Sequence, residues 1–226
     1  MKEPKFHRMF NYNLELLPNQ QLRLLEEGVS NIAEAEGRSG YTTGQPGWGL
    51  IYYLLLSHLD RNREEVIIET GTNWGCTTII LAQALVHSGC RGKVITFEID
   101  SENFKRAHNN LKEAGLIDRV DLRLGDSCKE LSSMFDRLSD IRFVFLDASH
   151  MYQDVKREFD LILPRLASDA LVIFDNTYNI SSEGEDRRVN GFLKDIKNLY
   201  GGNLINLEFV SWYTPGLAIW QRQPAL

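Results

Sequence analysis

Short apolar runs recur along the chain from Val66 onward, and most are followed by a segment whose apolar residues have helical spacing. Such runs are typical of strands buried on both faces of a parallel sheet. Strands are predicted at 66–70, 93–98, 119–124, 142–147, 170–175, 204–211 and 216–221, and helices near 76–87, 102–114, 127–138, 151–166 and 186–199. The pattern therefore predicts an α/β fold with a doubly wound, seven-stranded sheet whose last strand runs antiparallel.

The stretch before the first strand has a different pattern. Residues 18–36 are predicted to form one helix, and residues 50–59 a nearly all-apolar helix that packs on the sheet. Residues 37–49 contain five glycines and a proline, which indicates a loop. The polar and aromatic side chains of this loop are Tyr41, Thr42, Thr43, Gln45 and Trp48. The loop is either a connector or a binding element, and the predicted organisation is an N-terminal helical segment with this loop (1–49) and one main domain (50–226).

Composition limits the partners and the location. The chain has 226 residues, 43% of them hydrophobic, and a net charge of −6. The excess of acid argues against nucleic acid or an anionic membrane as partner, and no stretch is long and apolar enough to span a bilayer. Cys76, Cys90 and Cys128 have no metal-type spacing and are expected to be reduced thiols in a cytoplasmic protein. Aromatic residues within 1–17 would suit docking on a second copy, so a homo-oligomer is among the expectations.

The first strand runs into a glycine turn, which is the main candidate for ligand binding. Residues 66–78 read VIIETGTNWGCTT, so a strand, a turn and an amphipathic helix are expected to follow one another. Gly71 can adopt a positive φ and Gly75 allows close packing, which brings bare backbone near a ligand. Asn73 stands where a dinucleotide-binding turn needs a glycine, and Glu69 would repel phosphate but suit an ammonium group. A tight turn without a ligand is the alternative.

Every strand of the predicted parallel set ends at or next to an acid, and ligands bind beyond these ends in open α/β sheets. Glu98 lies roughly 20 residues after the glycine turn, where an acid can bind both hydroxyls of a ribose. Its neighbour Asp100 suits an N-cap of the following helix. After the third strand come Gly125, Asp126 and Ser127, and for the last two an N-cap and a ligand contact are both open.

Two carboxylates and an amide end neighbouring predicted strands, namely Asp147 and the pair Asp175 and Asn176. If these side chains converge, their three oxygens suit Mg²⁺ or Mn²⁺. Without a cation the two carboxylates would repel, and the pKa of one would rise. His150 follows Asp147 by three residues and is either a general base or a plain helix-start residue. Unrelated surface acids are the alternative to a metal site.

The turn and the acids carry a resemblance to a known family. Glu69-x-Gly71-x-x-x-Gly75 resembles motif I of the class I S-adenosylmethionine-dependent methyltransferases. From about residue 40 onward, the chain resembles the cation-dependent O-methyltransferases. These include the catechol and caffeoyl-coenzyme A enzymes, and the macrolide-sugar enzymes grouped with cephalosporin hydroxylase-like proteins. Glu98 matches the ribose-binding acid of the family.

The predicted metal site matches the same enzymes. Asp147, Asp175 and Asn176 stand where the catechol enzymes have their metal ligands. Asp147 and His150 match the Asp-x-x-His motif of the macrolide-sugar branch, whereas the catechol enzymes place a lysine at the position of His150. The match to any one subfamily fails at the N-terminus and in the loop 177–186, so the acceptor stays open. Trp48, Tyr178, Trp212 and Tyr213 are candidates for contact with it, and core or lid packing is the alternative for each.

The resemblance implies a Rossmann-like methyltransferase sheet and a cytoplasmic enzyme that moves the methyl group of S-adenosylmethionine to a hydroxyl of a small molecule, with Mg²⁺ or Mn²⁺. It implies His150 and Asp147 as catalytic residues. The implied cofactor-binding residues are Glu69, Gly71, Thr72, Asn73, Gly75, Thr77, Glu98, Ile99, Gly125, Asp126, Ser127 and Asp147. A nicotinamide-dependent oxidoreductase and a non-catalytic binding module on the same fold are the two alternatives.

Overall fold

A computed structural model describes residues 8–177, 188–207 and 216–222 of the chain. The strands are β1 (Glu64–Thr70), β2 (Arg91–Glu98), β3 (Val120–Leu124), β4 (Ile141–Leu146), β5 (Leu166–Phe174), β6 (Asn203–Leu207) and β7 (Leu217–Gln221). They form one seven-stranded sheet with the order β3-β2-β1-β4-β5-β7-β6. Strand β7 runs antiparallel to both β5 and β6. The predicted α/β sheet with an antiparallel last strand is confirmed.

The helices of the described residues follow the predicted alternation with the strands. They are α1 (Gln20–Glu26), α2 (Ile32–Ser39), α3 (Gly47–His58), α4 (Cys76–His87), α5 (Ser101–Glu113), α6 (Ser127–Met134), α7 (Tyr152–Ile162) and α8 (Val189–Tyr200). Short 3₁₀ helices at Phe135–Arg137 and Leu163–Arg165 continue α6 and α7. Within the described ranges no helix combines the length and the apolar character that a membrane span needs.

The prediction of a single helix over residues 18–36 is wrong. The helical conformation is interrupted between α1 and α2. There Gly28 has a φ of 72°, a left-handed value that a right-handed helix cannot accommodate. Asn31 then caps α2 by accepting the N–H of Glu34, and the Glu34 carboxylate accepts the N–H of Ser30 in return. This reciprocal cap gives α2 a start of its own. Since α2 ends later and α3 begins earlier than predicted, the loop between them shortens to residues 40–46.

Helix α4 was expected to be amphipathic and is instead buried along Cys76–Leu85. The reason is that α4 packs against α3, β2 and α5, so it has no broad solvent face. Its polar residues Thr77 and Thr78 are therefore interior and need hydrogen-bond partners inside the protein.

The chain divides into two compact units, one of residues 8–125 and one that begins at Asp126. In the first unit β1, β2 and β3 are parallel, and Glu98 at the end of β2 lies opposite Leu124 at the end of β3. In the second unit β4 is parallel to β5, and β7 pairs with β5 and β6. The predicted domain boundary after residue 49 stays a prediction.

The unit that begins at Asp126 has a core of aromatic rings. The ring centroid of Phe159 lies 5.8 Å from that of Phe174, 5.7 Å from Phe192, 5.0 Å from Tyr200 and 5.1 Å from Trp220. Three of these four pairs meet edge to face, an arrangement that adds to the burial of the rings. The indole N–H of Trp220 donates to a backbone carbonyl at 2.8 Å, so the polar atom of that ring is paired.

We expect Phe159→Ala to destabilise the protein by about 3–5 kcal/mol, because it removes a buried ring and leaves a cavity among its neighbours. Denaturant unfolding followed by circular dichroism measures the free energy of unfolding. Leu16→Ala is the control, since Leu16 is 63% exposed and its truncation should cost less than about 0.5 kcal/mol. Equal losses in the two variants would contradict the assigned core.

Candidate active site

Backbone contacts hold the glycine turn between β1 and α4. Gly71 and Gly75 both have a φ of 81°, in the left-handed region that favours glycine. The N–H groups of Gly71 and Thr72 donate to the carbonyl of Phe97 at 3.1 Å each, which ties the turn to β2. A Cβ on Gly75 would lie 3.3 Å from Ala107 of α5. The predicted positive φ of the first glycine and the close packing of the second are confirmed.

The acid that ends β2 is bonded to this turn. Asn73 has a φ of 49°, uncommon for a residue with a side chain, and its N–H donates to Glu98 Oε2 at 2.6 Å. The N–H of Asp100 donates to Glu98 Oε1 at 2.9 Å. Both oxygens are thus fixed in place, and each keeps a lone pair that a ligand hydroxyl can use. Ile99, the next residue, is 74% exposed.

Glu69, at the other end of the turn, lies in a network of buried hydroxyls. Its Oε2 accepts from Thr78 at 2.5 Å and from Thr96 at 2.7 Å. Because Thr96 donates to Glu69, the hydroxyl of Thr72 must donate to Thr96, at 2.6 Å. The carboxyl therefore links β1, β2 and α4. Its predicted contact with a ligand ammonium group stays a prediction, and Thr78 and Thr96 are partners that the sequence reasoning missed.

Three residues of α5 contact Trp74 of the glycine turn, and the sequence analysis did not predict these contacts. The N–H of the Trp74 ring donates to Asn103 at 3.0 Å, and the guanidinium of Arg106 lies 4.1 Å from the ring centroid. The side chain of Asn110 donates to the Trp74 carbonyl at 2.9 Å. These contacts fix the bulky side chain beside Asn73. No local sequence signal reveals them, because they depend on where α5 lies.

The loop of residues 40–46 and the start of α3 pack on the first turn of α4. The indole N–H of Trp48 donates to the hydroxyl of Thr77 at 3.2 Å, and the hydroxyl of Thr42 lies 3.3 Å from the same atom. A Cβ on Gly40 would lie 2.5 Å from Asn73 Oδ1, so the loop backbone touches the glycine turn. Of the two alternatives for this loop, a free connector does not fit these contacts.

The residues after β3 have structural partners. Gly125 donates its N–H to the carbonyl of Glu98 at 2.8 Å. Asp126 is the N-cap of α6 and accepts from the N–H of Lys129 at 3.0 Å, while the hydroxyl of Ser127 donates to Glu158. The N-cap alternative for Asp126 therefore holds, and ligand contacts of Gly125, Asp126 and Ser127 stay predictions.

Asp100 is an N-cap as well. Its carboxylate accepts from the N–H groups of Glu102 and Asn103 at the start of α5, at 2.8 and 2.9 Å. This outcome confirms the capping role that the sequence indicated.

Asp147 and Asp175, which follow β4 and β5, converge. Burial raises the pKa of Asp175 well above its ordinary value, and the charge of Asp147 and a hydrogen bond between the two carboxyls raise it further. The two side chains therefore lie within hydrogen-bonding reach of each other. None of the described residues hydrogen-bonds Asp175 Oδ1, which is buried. The expected convergence of two carboxylates, and the raised pKa of one, are confirmed.

His150 and Asn176 lie beside this pair. Asn176 has a φ of 57°, and its side-chain Nδ2 donates to Nε2 of His150. The same Nε2 lies 3.5 Å from Asp147 Oδ1. The predicted roles of His150 and Asn176 are untested by this geometry and stay predictions.

The donor set suits a hard cation. In the described parts of the chain, no group of three or more His, Cys, Asp or Glu side chains could hold a metal ion. The set here consists of two carboxylates and an amide, and a buried carboxylate oxygen without a hydrogen-bond partner is an atom that a cation would satisfy. Asp147, Asp175 and Asn176 therefore fit Mg²⁺ or Mn²⁺ in chemical type. Of the predicted acceptor contacts, Trp48 is fully buried with its N–H bonded to Thr77, so the packing alternative holds for it. Residues 178–187, Trp212 and Tyr213 lie outside the described residues.

Comparison with known proteins gives a family match over the central part of the chain. Residues 68–177 match the protein family described as Methyltransferase domain. A catechol O-methyltransferase of Mycobacterium tuberculosis is 29% identical over 123 residues, which are 53% of this chain and 53% of that protein. The match thus spans about half the length of this curated relative.

Solved structures share the fold over most of the chain. The O-methyltransferase from Bacillus cereus, in complex with SAH, gives a TM-score of 0.65 at 21% identity, covering 88% of this chain and 90% of that one. The O-methyltransferase TomG from Streptomyces achromogenes, in complex with SAM, gives 0.66 at 18% identity, covering 91% and 90%. At these identities the likeness shows the fold alone. Residues 68–177 are thus similar to a methyltransferase domain, and the strand order is that of the methyltransferase fold.

Proposed function

We propose that this protein transfers the methyl group of S-adenosylmethionine to the hydroxyl oxygen of a small molecule, with the help of Mg²⁺ or Mn²⁺. The observation that carries the proposal is the convergence of two carboxyls on a methyltransferase fold, the buried one of Asp175 and the partly exposed one of Asp147. Two converging carboxyls repel each other when both are ionised, and burial of one adds to that cost. A divalent cation would let both ionise, which gives their position a purpose.

The proposed cofactor site uses the turn between β1 and α4. The left-handed backbone at Gly71 and Gly75 suits close approach of a ligand. Glu98 would accept the hydrogen bonds of both ribose hydroxyls, because Asn73 and Asp100 hold its oxygens in place. The hydroxyls of Thr72 and Thr77 are already engaged, so these residues would contribute backbone or packing. The exposed side chain of Ile99 would give the adenine ring an apolar contact.

The proposed acceptor chemistry uses the second unit. Asp147, Asp175 and Asn176 would hold the cation through oxygen atoms, and a bound cation would supply positive charge that stabilises the acceptor oxyanion. His150 would take up the hydroxyl proton on its Nε2 atom. For this step the acceptor hydroxyl must replace the Asn176 amide as the hydrogen-bond partner of Nε2. Holding the methyl group and the acceptor oxygen in line would lower the activation free energy of the transfer, by roughly 7–11 kcal/mol.

Other functions and the location are part of the same proposal. Asn73, in place of a glycine, argues against a nicotinamide cofactor. The paired carboxyls argue against a binding module without catalysis, which has no use for them. The three cysteines are free and buried, and this supports a reducing compartment such as the cytoplasm.

We expect S-adenosylhomocysteine (SAH) to raise the melting temperature and NAD to leave it unchanged. A ligand at one hundred times its dissociation constant stabilises a fold by about 2.7 kcal/mol. Scanning fluorimetry with each ligand measures the rise. Glu98→Ala should remove most of it, whereas Glu102→Gln, which changes an exposed acid on α5, should retain it. A response to NAD alone would favour the oxidoreductase.

We expect Asp175→Asn to raise the melting temperature in chelator and to abolish Mn²⁺ binding. The amide removes the repulsion with Asp147 but also removes a cation ligand. Melting curves in EDTA and electron paramagnetic resonance with Mn²⁺ measure the two effects. Asp169→Asn changes a half-exposed acid of the same strand and should bind Mn²⁺ like the wild type. Full activity in excess chelator would show that the two acids serve another purpose.

We expect His150→Ala to lower turnover by about 10²–10⁴-fold, the usual cost of losing a general base. Release of SAH over a panel of catechols and sugar alcohols measures turnover, and the affinities for SAH and Mn²⁺ should stay the same. Added imidazole should restore part of the rate, since it replaces the missing base. His108→Ala, an exposed histidine of α5, is the control. Wild-type turnover in His150→Ala would rule out the base.

A further inference from the structure

Arg8 carries a guanidinium that is almost completely buried, with 5% of the residue exposed. Its Nη2 lies 2.6 Å from Oε1 of Glu26 in α1, and the same oxygen accepts from the hydroxyl of Ser39 in α2 at 3.0 Å. Its Nη1 donates to the carbonyl of Thr42 at 3.5 Å. A guanidinium presents its donors in a rigid, planar fork, which fixes the directions of these contacts. Arg8 therefore joins α1, α2 and the loop of residues 40–46.

The loop closes around the Arg8 side chain. A Cβ on Gly44 would lie 2.6 Å from Arg8 Nε, and Gly44 has a left-handed φ of 66°. The next residue in the chain after Arg8, Met9, donates its N–H to the carbonyl of Gln45 at 2.8 Å. The guanidinium also lies 5.8 Å from the ring centroid of Trp48, within the range of a cation–π contact. The shape of the loop thus depends on the side chain that fills it.

The loop passes this constraint on to the glycine turn. Thr42 and Trp48, both in contact with Arg8, also reach the hydroxyl of Thr77 in the first turn of α4. Gly40 packs against the side chain of Asn73 at the centre of the turn. A continuous path of contacts therefore runs from the guanidinium to the residues that follow β1.

We propose that Arg8 is a positioning residue for the cofactor, which acts through the loop of residues 40–46 to hold the glycine turn in its binding shape. The inference rests on the proposed function, since it takes the ligand of this turn to be S-adenosylmethionine. A buried ion pair is a weak means of stabilising a fold, because apolar side chains of similar volume do as well. What the guanidinium adds is a set of fixed directions, and these end at the loop.

Two variants separate positioning from stability. Arg8→Lys keeps a positive charge opposite Glu26 but loses the planar fork that reaches Thr42 and faces Trp48. Arg8→Met combined with Glu26→Gln removes both charges, so no charge is left buried without its partner. The pair of variants keeps the test informative if one of them fails to fold.

Isothermal titration calorimetry with SAH, well below the melting temperature, measures the effect. We expect Arg8→Lys to weaken SAH binding roughly tenfold, because at least one directed contact of the guanidinium to the loop is lost. The double variant should weaken it at least as much. Mn²⁺ binding should keep the wild-type affinity in both, since the proposed cation ligands are Asp147, Asp175 and Asn176.

Arg142→Met is the matched control. Arg142 is another largely buried arginine, paired with Asp169 in the unit that begins at Asp126. Its loss should lower the melting temperature and leave SAH affinity unchanged. Wild-type SAH affinity in the Arg8 variants, or an equal loss in Arg142→Met, would overturn the positioning role. Failure of the wild-type protein to bind SAH would instead overturn the proposed function, so the two failures are distinguishable.

Discussion

The unit of residues 8–125 depends on how one buried carboxyl, that of Glu69, is satisfied. A polar group without access to water is costly unless it is hydrogen-bonded, and the hydroxyls of Thr78 and Thr96 supply the bonds. One comes from α4 and the other from β2, so an acid near the end of β1 fixes three elements at once. The glycine turn joins two of these elements and is bonded to the third. The contacts with these elements hold Gly71 and Gly75 at their left-handed φ values.

The second unit places two carboxyls next to each other, whereas Glu69 in the first unit is next to hydroxyl groups. Asp147 and Asp175 converge, and a buried oxygen of Asp175 has no hydrogen-bond partner among the described residues. The hydrogen bonds of Glu69 Oε2 join three elements, whereas the convergence of Asp147 and Asp175 creates a repulsion that a bound cation would relieve. Proteins break local rules of this kind mainly at functional sites. The two carboxyl arrangements thus distinguish an acid that supports the fold from the acids that the proposed function assigns to a cation.

Sequence patterns predicted the strands well, because a buried parallel strand leaves an apolar run and its end leaves a polar residue. The same logic located Glu98, Asp147 and Asp175. It failed where a contact joins distant parts of the chain. Nothing in the sequence pairs Glu69 with Thr96, and Gly28 interrupts a helical pattern whose spacing continues across it. The loop of residues 40–46 has no periodic pattern of apolar residues from which its shape could be predicted. Its shape depends on contacts with Arg8, which lies far earlier in the chain.

The position of β7 affects the order in which the strands can join the sheet. This strand is made after β6 but lies between β5 and β6 in the sheet. In the sheet β6 pairs with β7, so it can join the sheet only when β7 is also available. Residues 8–125 contain β1, β2 and β3 together and face no such delay. The glycine turn can therefore form before β7 is made, whereas β6 joins the sheet only together with β7.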